Sequence, residues 1–391
     1  MTEVIEAEPA LRILRRELAG PLVENIRRGE TALSPGVLQE DIAFYLDPAR
    51  FDAEQRALFR SMPIFACLSV DLPEPGSFRT FDEAGAPMLL TRGKDGKVRA
   101  FLNVCPHRAS RVVREASGKA SRFTCRFHGW TFDATGACIG IPDEGNFCGA
   151  IGHQKQLAEC PAAERHGMVF VRSAPGPEID LAAHFGTFDR DFAAIGFESA
   201  EVVHSDDIHV QANWKYGLDT FFETYHLNSL HRETFRGLFS PICVFDTAGP
   251  HHRYTFAPLG IADWPGMAPV DWPLDLIPLQ YFLFPNTIVS VGSTSASGLT
   301  INIHQIFPSA HDRFVSRLSY CALGGLKSPE HRADVDAAYL RARAALVDED
   351  YSVAAESHRG LLGLAPGTTL PVGRQEIGVQ NFHANIARLV G

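Results

Sequence analysis

The amino-acid sequence predicts an α+β chain of two domains: a small antiparallel β domain, then a larger α+β domain in which an antiparallel sheet carries helices. Three observations predict it. Up to about Phe59, the apolar residues Leu11, Leu14, Leu18, Val23 and Ile26 recur at helical spacing. From Phe65 to about Val171 the texture changes to short β-type runs broken by Gly, Pro and Asp. Beyond Glu178 helical and strand signals mix, with a strand-rich centre and a long late helix.

The first segment, ending in DPARFDAEQRALF, reads as a helical arm of residues 1–59 that packs on the larger domain. In the second, MLLTR and VRAFLNV flank KDGK, a hairpin turn between two strands. ERHGMVFVRS closes this small domain, residues 60–175, and SAPGPEID reads as the linker out of it. In residues 176–391 the runs QYFLFPNTIVSVG, LTINIHQIFP and FVSRLSYCAL are strands, and Pro329 to about Leu361 is one long helix. No internal repeat or low-complexity tract interrupts this order.

At 391 residues the chain can bury two cores, and its 45% hydrophobic and 21% charged content excludes disordered and fibrous classes. A net charge of −10 argues against nucleic acid as a partner. The opening MTEVIEAEPALRILRRELAG lacks the apolar core of a signal peptide, and no run approaches the roughly twenty apolar residues of a membrane span. Eight cysteines are too few for a disulfide scaffold, so a reducing, bacterial-type cytoplasm is the expected location.

Two constellations carry chemistry. Cys105-Pro106-His107 and Cys125-Arg126-Phe127-His128 form Cys-x-His, seventeen residues, Cys-x-x-His. A Rieske cluster needs mixed pairs of this kind from two neighbouring loops, because two cysteines hold one iron and two histidines the other. Structural zinc takes the same four donors, but usually as Cys-x2–4-Cys and His-x3–5-His pairs. The second constellation is NWKYGLDTFFETYHLNSLH, Asn213 to His231. In a mostly helical setting Asp219, Glu223 and His226 fall at offsets of four and three and share a face. On a straight helix His231 would lie about 140° round from His226. Both reach one ion only if the helix ends between them, where Asn228 and Ser229 compete for the backbone. Two imidazoles and a distant carboxylate make a facial ferrous site with positions left open. A pair of ordinary surface or core histidines is the bland alternative for so weak a motif.

With NVCPHRAS, CRFHGWTF and NWK-x9-Tyr-His-x4-His in view, the sequence resembles the Rieske non-heme iron oxygenases, in their large, catalytic subunit, over nearly the whole chain. The resemblance implies that Cys105, His107, Cys125 and His128 hold a [2Fe-2S] cluster and that His226 and His231 hold a mononuclear iron. Glu223 stands at the family's bridging carboxylate, where Asp is commoner, and Asp219 lies one turn further back. The third iron ligand is implied at Asp350, eight residues before His358-Arg359-Gly360, with Asp348 and Glu349 as close competitors.

The family chemistry implied is oxygen insertion into a small organic substrate, by hydroxylation or by oxidative demethylation. The aromatic substrates usual in the family are the first reading, and N-methyl or quaternary ammonium compounds, which relatives with Glu at the bridge also take, are the alternative. An electron-transfer module using the cluster alone is the reading from a different class. Because no Gly-x-Gly-x-x-Gly follows any strand, the electrons come from another protein, a ferredoxin or a flavin reductase. The resemblance further implies a head-to-tail homotrimer. Between Arg108 and Arg126 the chain carries six basic residues against the single acid Glu115: either a solvated loop with donors to the cluster, or, on the sharper reading, a docking patch for that electron donor with Arg111, Lys119 and Arg122 its more accessible members. Phe235, Leu238, Phe239, Phe282 and Phe284 are apolar residues for either pocket or core.

Overall fold

The computed structural model describes residues 3–152, 155–232, 234, 239–258, 260–293 and 298–391. Its chain divides into two compact units, Glu54–His184 and the combination of Met1–Ala53 with Phe185–Gly391.

The smaller unit is built from short antiparallel strands. Met88–Arg92 and Val98–Leu102 form the expected hairpin, with Gly96 at φ 77 in its turn, where a side chain would be strained. They lie inside a five-stranded sheet. Arg122–Thr124, Thr131–Asp133 and Cys138–Gly140 make a separate three-stranded sheet. Ala162–Arg165 turns back through His166 and Gly167, both at positive φ, into Met168–Val171, which pairs with Ile64–Leu68. The core between these sheets includes Phe78, Leu89, Phe101, Phe123, Trp130 and Phe132.

The larger unit centres on a seven-stranded antiparallel sheet. Its order across the sheet is Ala200–Val210, Arg313–Leu323, Leu299–Ala310, Thr287–Ser293, Leu279–Leu283, His251–Pro258 and Phe239–Ala248. The first helix, Glu3–Arg28, buries Leu11, Leu14, Leu18, Leu22 and Val23 and packs on the helix Asp189–Ile195 and on Phe239–Ala248. The stretch up to Phe59 is not helical throughout. Leu38–Asp41 is a strand paired with Thr369–Val372, a partner more than 300 residues away that local spacing cannot reveal.

The late helix begins where Pro329 predicts it, with Ser328 Oγ accepting the His331 N–H at 3.1 Å. It is not one regular helix. Pro329–Ala344 and Tyr351–Leu361 are joined by a π-helical turn over Ala345–Asp350, a wider turn of the sort found at functional sites. The final helix, Ile377–Val390, packs Phe382 against Phe222, Phe282 and Trp214 at ring distances of 5.3, 5.6 and 5.7 Å. Phe282 and Phe284 are therefore core residues at 1% exposure. Phe235 and Leu238 lie outside the described residues, as does the side chain of Phe239. No helix among the described residues is long and apolar enough to cross a membrane.

Candidate metal centres

In the smaller unit the two ligand loops are built alike. Cys105 N–H donates to Ser110 O and Cys125 N–H to Trp130 O, both at 2.8 Å. Four residues after each cysteine the chain turns through positive φ, at Ala109 (55°) and Gly129 (73°), and that residue's N–H returns to the cysteine carbonyl at 2.9 Å. A non-glycine in this conformation costs about 1 kcal/mol, so the surroundings must enforce it at Ala109. Asn103 helps do so: fully buried, it donates to Val113 O at 2.8 Å and accepts the N–H groups of Val112 and Val113 at 3.2 and 2.9 Å.

The loops sort their donors. Cys105 and Cys125 are buried side by side, whereas the rings of His107 and His128 meet edge to face at 4.5 Å with His128 exposed. Trp130 stacks under His107 at 5.1 Å and Phe127 on His128 at 3.9 Å. Burial pushes the Cys105 thiol up to about 11, with the neighbouring Cys125 adding to the rise, so a Cys105 thiolate here needs a positive counter-charge. Among the described residues only His226, His231 and Asp350 bring three ligand atoms within 4.8 Å of one another. The four donors of the small unit do not converge in that way. One tetrahedral zinc would require it, whereas a two-iron cluster with a sulfur end and a histidine end does not.

In the larger unit Asn213 starts the segment that carries His226 and His231. Its Oδ1 caps the helix Trp214–Asp219 by accepting the Lys215 N–H at 3.0 Å, and its Nδ2 donates to Tyr45 O and His311 O. The expected continuous helix through His226 is absent. The helix stops at Asp219, the chain bends through Glu223, and a single turn, Leu227–Leu230, lies between the histidines with Asn228 and Ser229 inside it. His226 and His231 stand just outside the two ends of that turn. This brings their Nε2 atoms to 3.1 Å, which five steps on a longer helix could not.

Asp350 reaches the pair from the π-helical turn. Its Oδ1 lies 3.3 Å from His231 Nε2 and 3.7 Å from His226 Nε2, is buried, and accepts no aligned hydrogen bond. Donors about 2.1 Å from one ion and at right angles to each other stand about 3.0 Å apart, so these separations fit a facial site for a divalent metal. Each imidazole gives its other nitrogen to a carboxylate. His226 Nδ1 donates to Glu223 Oε1, and His231 Nδ1 donates to Glu349 Oε2 at 2.6 Å, leaving the two Nε2 atoms as the candidate donors to a metal. Glu223 Oε2 in turn accepts the backbone N–H groups of Tyr225 and His226. Thr234 Oγ1 donates to Glu349 at 2.5 Å.

Of the three neighbouring acids, Asp348 is exposed, Glu349 stands behind His231, and Asp350 faces the ligands. Burial raises the Asp350 pKa against the pull of His231 and His226. Burial also opposes charge on His231, but Asp350 and Glu349 outweigh it and raise that pKa. A bound cation would relieve both. Asp219 is turned elsewhere, accepting from Tyr45 Oη at 2.7 Å and facing His383 Nε2 at 3.2 Å. Sequence reasoning misses Glu349's role, Thr234, Asn103 and His383; of these only Asn103, inside the first motif, carries a local signal.

A fold with a sorted two-cysteine, two-histidine site in one unit and a two-histidine, one-carboxylate site in the other defines a class, the iron proteins that pair a cluster with a mononuclear centre. Residues 62–161 match the Rieske [2Fe-2S] domain, and residues 197–391 match the ring hydroxylating alpha subunit (catalytic domain). The chain belongs to this family of Rieske-type ring-hydroxylating alpha subunits. It is 31% identical over 201 residues to the glycine betaine monooxygenase oxygenase subunit of Chromohalobacter salexigens, covering 50% of this chain and 43% of that protein. It is 30% identical over 190 residues to the 2-aminobenzenesulfonate 2,3-dioxygenase subunit alpha of Alcaligenes sp, covering 48% of each. The chain thus spans about half the length of the curated relatives it matches. Its fold is that of the quaternary ammonium Rieske monooxygenase CntA, with a TM-score of 0.79 at 19% identity over 92% of this chain and 97% of that one.

Proposed function

We propose that this chain is the terminal component of an oxygenase that takes electrons from a separate ferredoxin or flavin reductase and uses O2 to hydroxylate or oxidatively demethylate a small organic substrate. The observation that carries it is the three-donor site His226, His231 and Asp350, whose ligand atoms lie within 4.8 Å of one another, the donor set of a two-histidine, one-carboxylate iron site. Cys105, His107, Cys125 and His128 would hold the cluster in this reading. When bound, the cluster supplies electrons one at a time and the mononuclear iron supplies the place where oxygen meets substrate. The protein's own part is orientation. Glu223 and Glu349 accept from Nδ1 of each histidine, which selects the tautomer with its lone pair on Nε2 and fixes the ring's orientation. The buried Asp350 oxygen supplies the negative charge. Glu223 has a second role as the carboxylate that joins a cluster histidine to His226, across the subunit boundary of a head-to-tail homotrimer.

The substrate class has two readings. Aromatic substrates are usual in the family, and one relative is named for an aminobenzenesulfonate. Quaternary ammonium compounds are favoured by Glu223 at the bridge and by the names of the glycine betaine and CntA relatives. The deciding experiment reconstitutes the iron-loaded protein with a surrogate reductase and offers glycine betaine and 2-aminobenzenesulfonate under labelled O2. Product mass and label incorporation read the outcome. A cluster that reduces normally without oxygenation of any organic substrate in a broader panel would leave only the electron-transfer reading.

The donor-docking patch is smaller than the basic stretch. Arg111 pairs with Asp82 at 2.6 Å and Lys119 with Glu74 at 2.7 Å, so two of the three favoured positions are neutralised. Arg108 and Arg126, inside the ligand motifs, are exposed, as are Arg114 and Arg122. Arg108 covers the exposed Phe127 ring at 5.1 Å. Reversing Arg122 and Arg126 to Glu is expected to slow cluster reduction by the physiological donor about tenfold at low salt and to flatten its salt dependence. Dithionite should still reduce the cluster normally. Unchanged kinetics at low salt would place the donor elsewhere.

A further inference from the structure

Four residues before Glu223 in sequence lies a charged cluster, built around a buried histidine, that the ligand set does not use. His383, on the helix Ile377–Val390, is 1% exposed. Its Nδ1 stands 2.9 Å from Glu40 Oε2, and its Nε2 stands 3.2 and 3.4 Å from the two oxygens of Asp219. Tyr45 Oη donates to Asp219 Oδ2 at 2.7 Å. With a carboxylate at each ring nitrogen, both nitrogens must carry protons to be satisfied, which makes the ring an imidazolium.

Asp219 is the last residue of the helix Trp214–Asp219, and its carbonyl accepts the Phe222 N–H at 3.1 Å. Phe222 O accepts from Tyr254 Oη at 2.7 Å, and that oxygen accepts the Gly378 N–H at 2.9 Å. A Cβ on Gly378 would meet Tyr254 Oη at 2.7 Å and Phe222 O at 2.8 Å, so the approach admits only glycine. The next residue after Phe222 is Glu223, which orients His226. The last helix therefore holds the start of the ligand turn at three points: His383 on Asp219, Phe382 on the Phe222 ring, and Gly378 through Tyr254.

We infer that His383 is a positioning residue for the mononuclear site: as an imidazolium between Glu40 and Asp219 it fixes the end of the helix Trp214–Asp219, and with it the turn that presents Glu223 and His226. This rests on the metal-site reading given above. The groups facing His383 are Glu40, Asp219 and Tyr45, with Glu376 close enough to feel its charge and Lys215 across the Phe44 ring. Burial opposes its charge, but Asp219 and Glu40 outweigh that and raise its pKa. The positioning effect is then complete below the ordinary imidazole pKa of about 6.5 and is lost as pH rises through the higher folded value. Metal affinity otherwise climbs with pH, because His226 and His231 must be unprotonated to bind.

The test uses the full-length protein with its cluster assembled and its mononuclear site emptied by chelation, titrated with Co(II) between about pH 6 and pH 9.5. The wild type is expected to bind one equivalent with an affinity that rises and then falls on the alkaline side. His383→Gln should bind about tenfold more weakly near neutrality and lack the alkaline fall. Tyr45→Phe removes a single hydrogen bond to Asp219 and should weaken binding about two- to threefold, which decides the matter if His383→Gln does not fold. Wild-type binding with both variants unchanged, or an alkaline fall that persists in His383→Gln, overturns the role of His383 alone. Failure of the wild type to bind Co(II) overturns the metal-site reading and this inference together.

Discussion

Asp350→Ala is expected to drop the iron content from about three to about two per chain, abolish oxygenation, and leave the cluster absorbance unchanged. The two sites draw on separate residues in separate units, so one can be emptied alone. The neighbouring acids sharpen the test. Glu349 contacts His231 Nδ1 and Thr234, on the far side of the ring from the ligand atom. Glu349→Gln should therefore retain iron with about 10- to 100-fold lower affinity, as expected when the partner behind a ligand histidine is weakened. Asp348 is exposed, and Asp348→Ala should change nothing. Iron analysis and the spectrum of the reduced cluster check all three variants. Loss of the mononuclear iron in Glu349→Gln or Asp348→Ala, with retention in Asp350→Ala, would refute the assignment of the third ligand.

The second large effect is expected at Glu223. Its two oxygens take different donors, the His226 ring N–H on one and the backbone N–H groups of Tyr225 and His226 on the other. A Gln side chain can satisfy only one of these sets, because its amide NH2 must face the other set of donors. Glu223→Gln should keep both metal centres but lower reductant-driven turnover about 100-fold, since the charge that orients the ring is gone. Turnover driven by added hydrogen peroxide, which bypasses transfer from the cluster, should persist. Single-turnover reduction kinetics separate the cases. Normal reductant-driven turnover in this variant would sink the bridging role.

The sequence by itself determined the inventory of candidate donors, because the chemistry demands particular residue types at short spacings. Cys-x-His with Cys-x-x-His, and His-x4-His after an NWK start, are local patterns that survive without knowledge of the fold. It also determined the change from short β-strands to a mixed domain, and the start of the late helix at Pro329, where a cap and a proline act over four residues. What it left open depends on contacts between distant segments. Only the tertiary structure separates Asp350 from Glu349, since adjacent residues differ by about 100° in direction and a π-helical turn shifts that phase. It ends the helix at Asp219 rather than beyond His226, and Tyr45 and His383 hold the Asp219 carboxylate away from His226 and His231. It neutralises Arg111 and Lys119 with Asp82 and Glu74, acids some thirty to forty-five positions away along the chain. In each case the deciding partner comes from another element, and a reading of local spacing has no access to where that element folds.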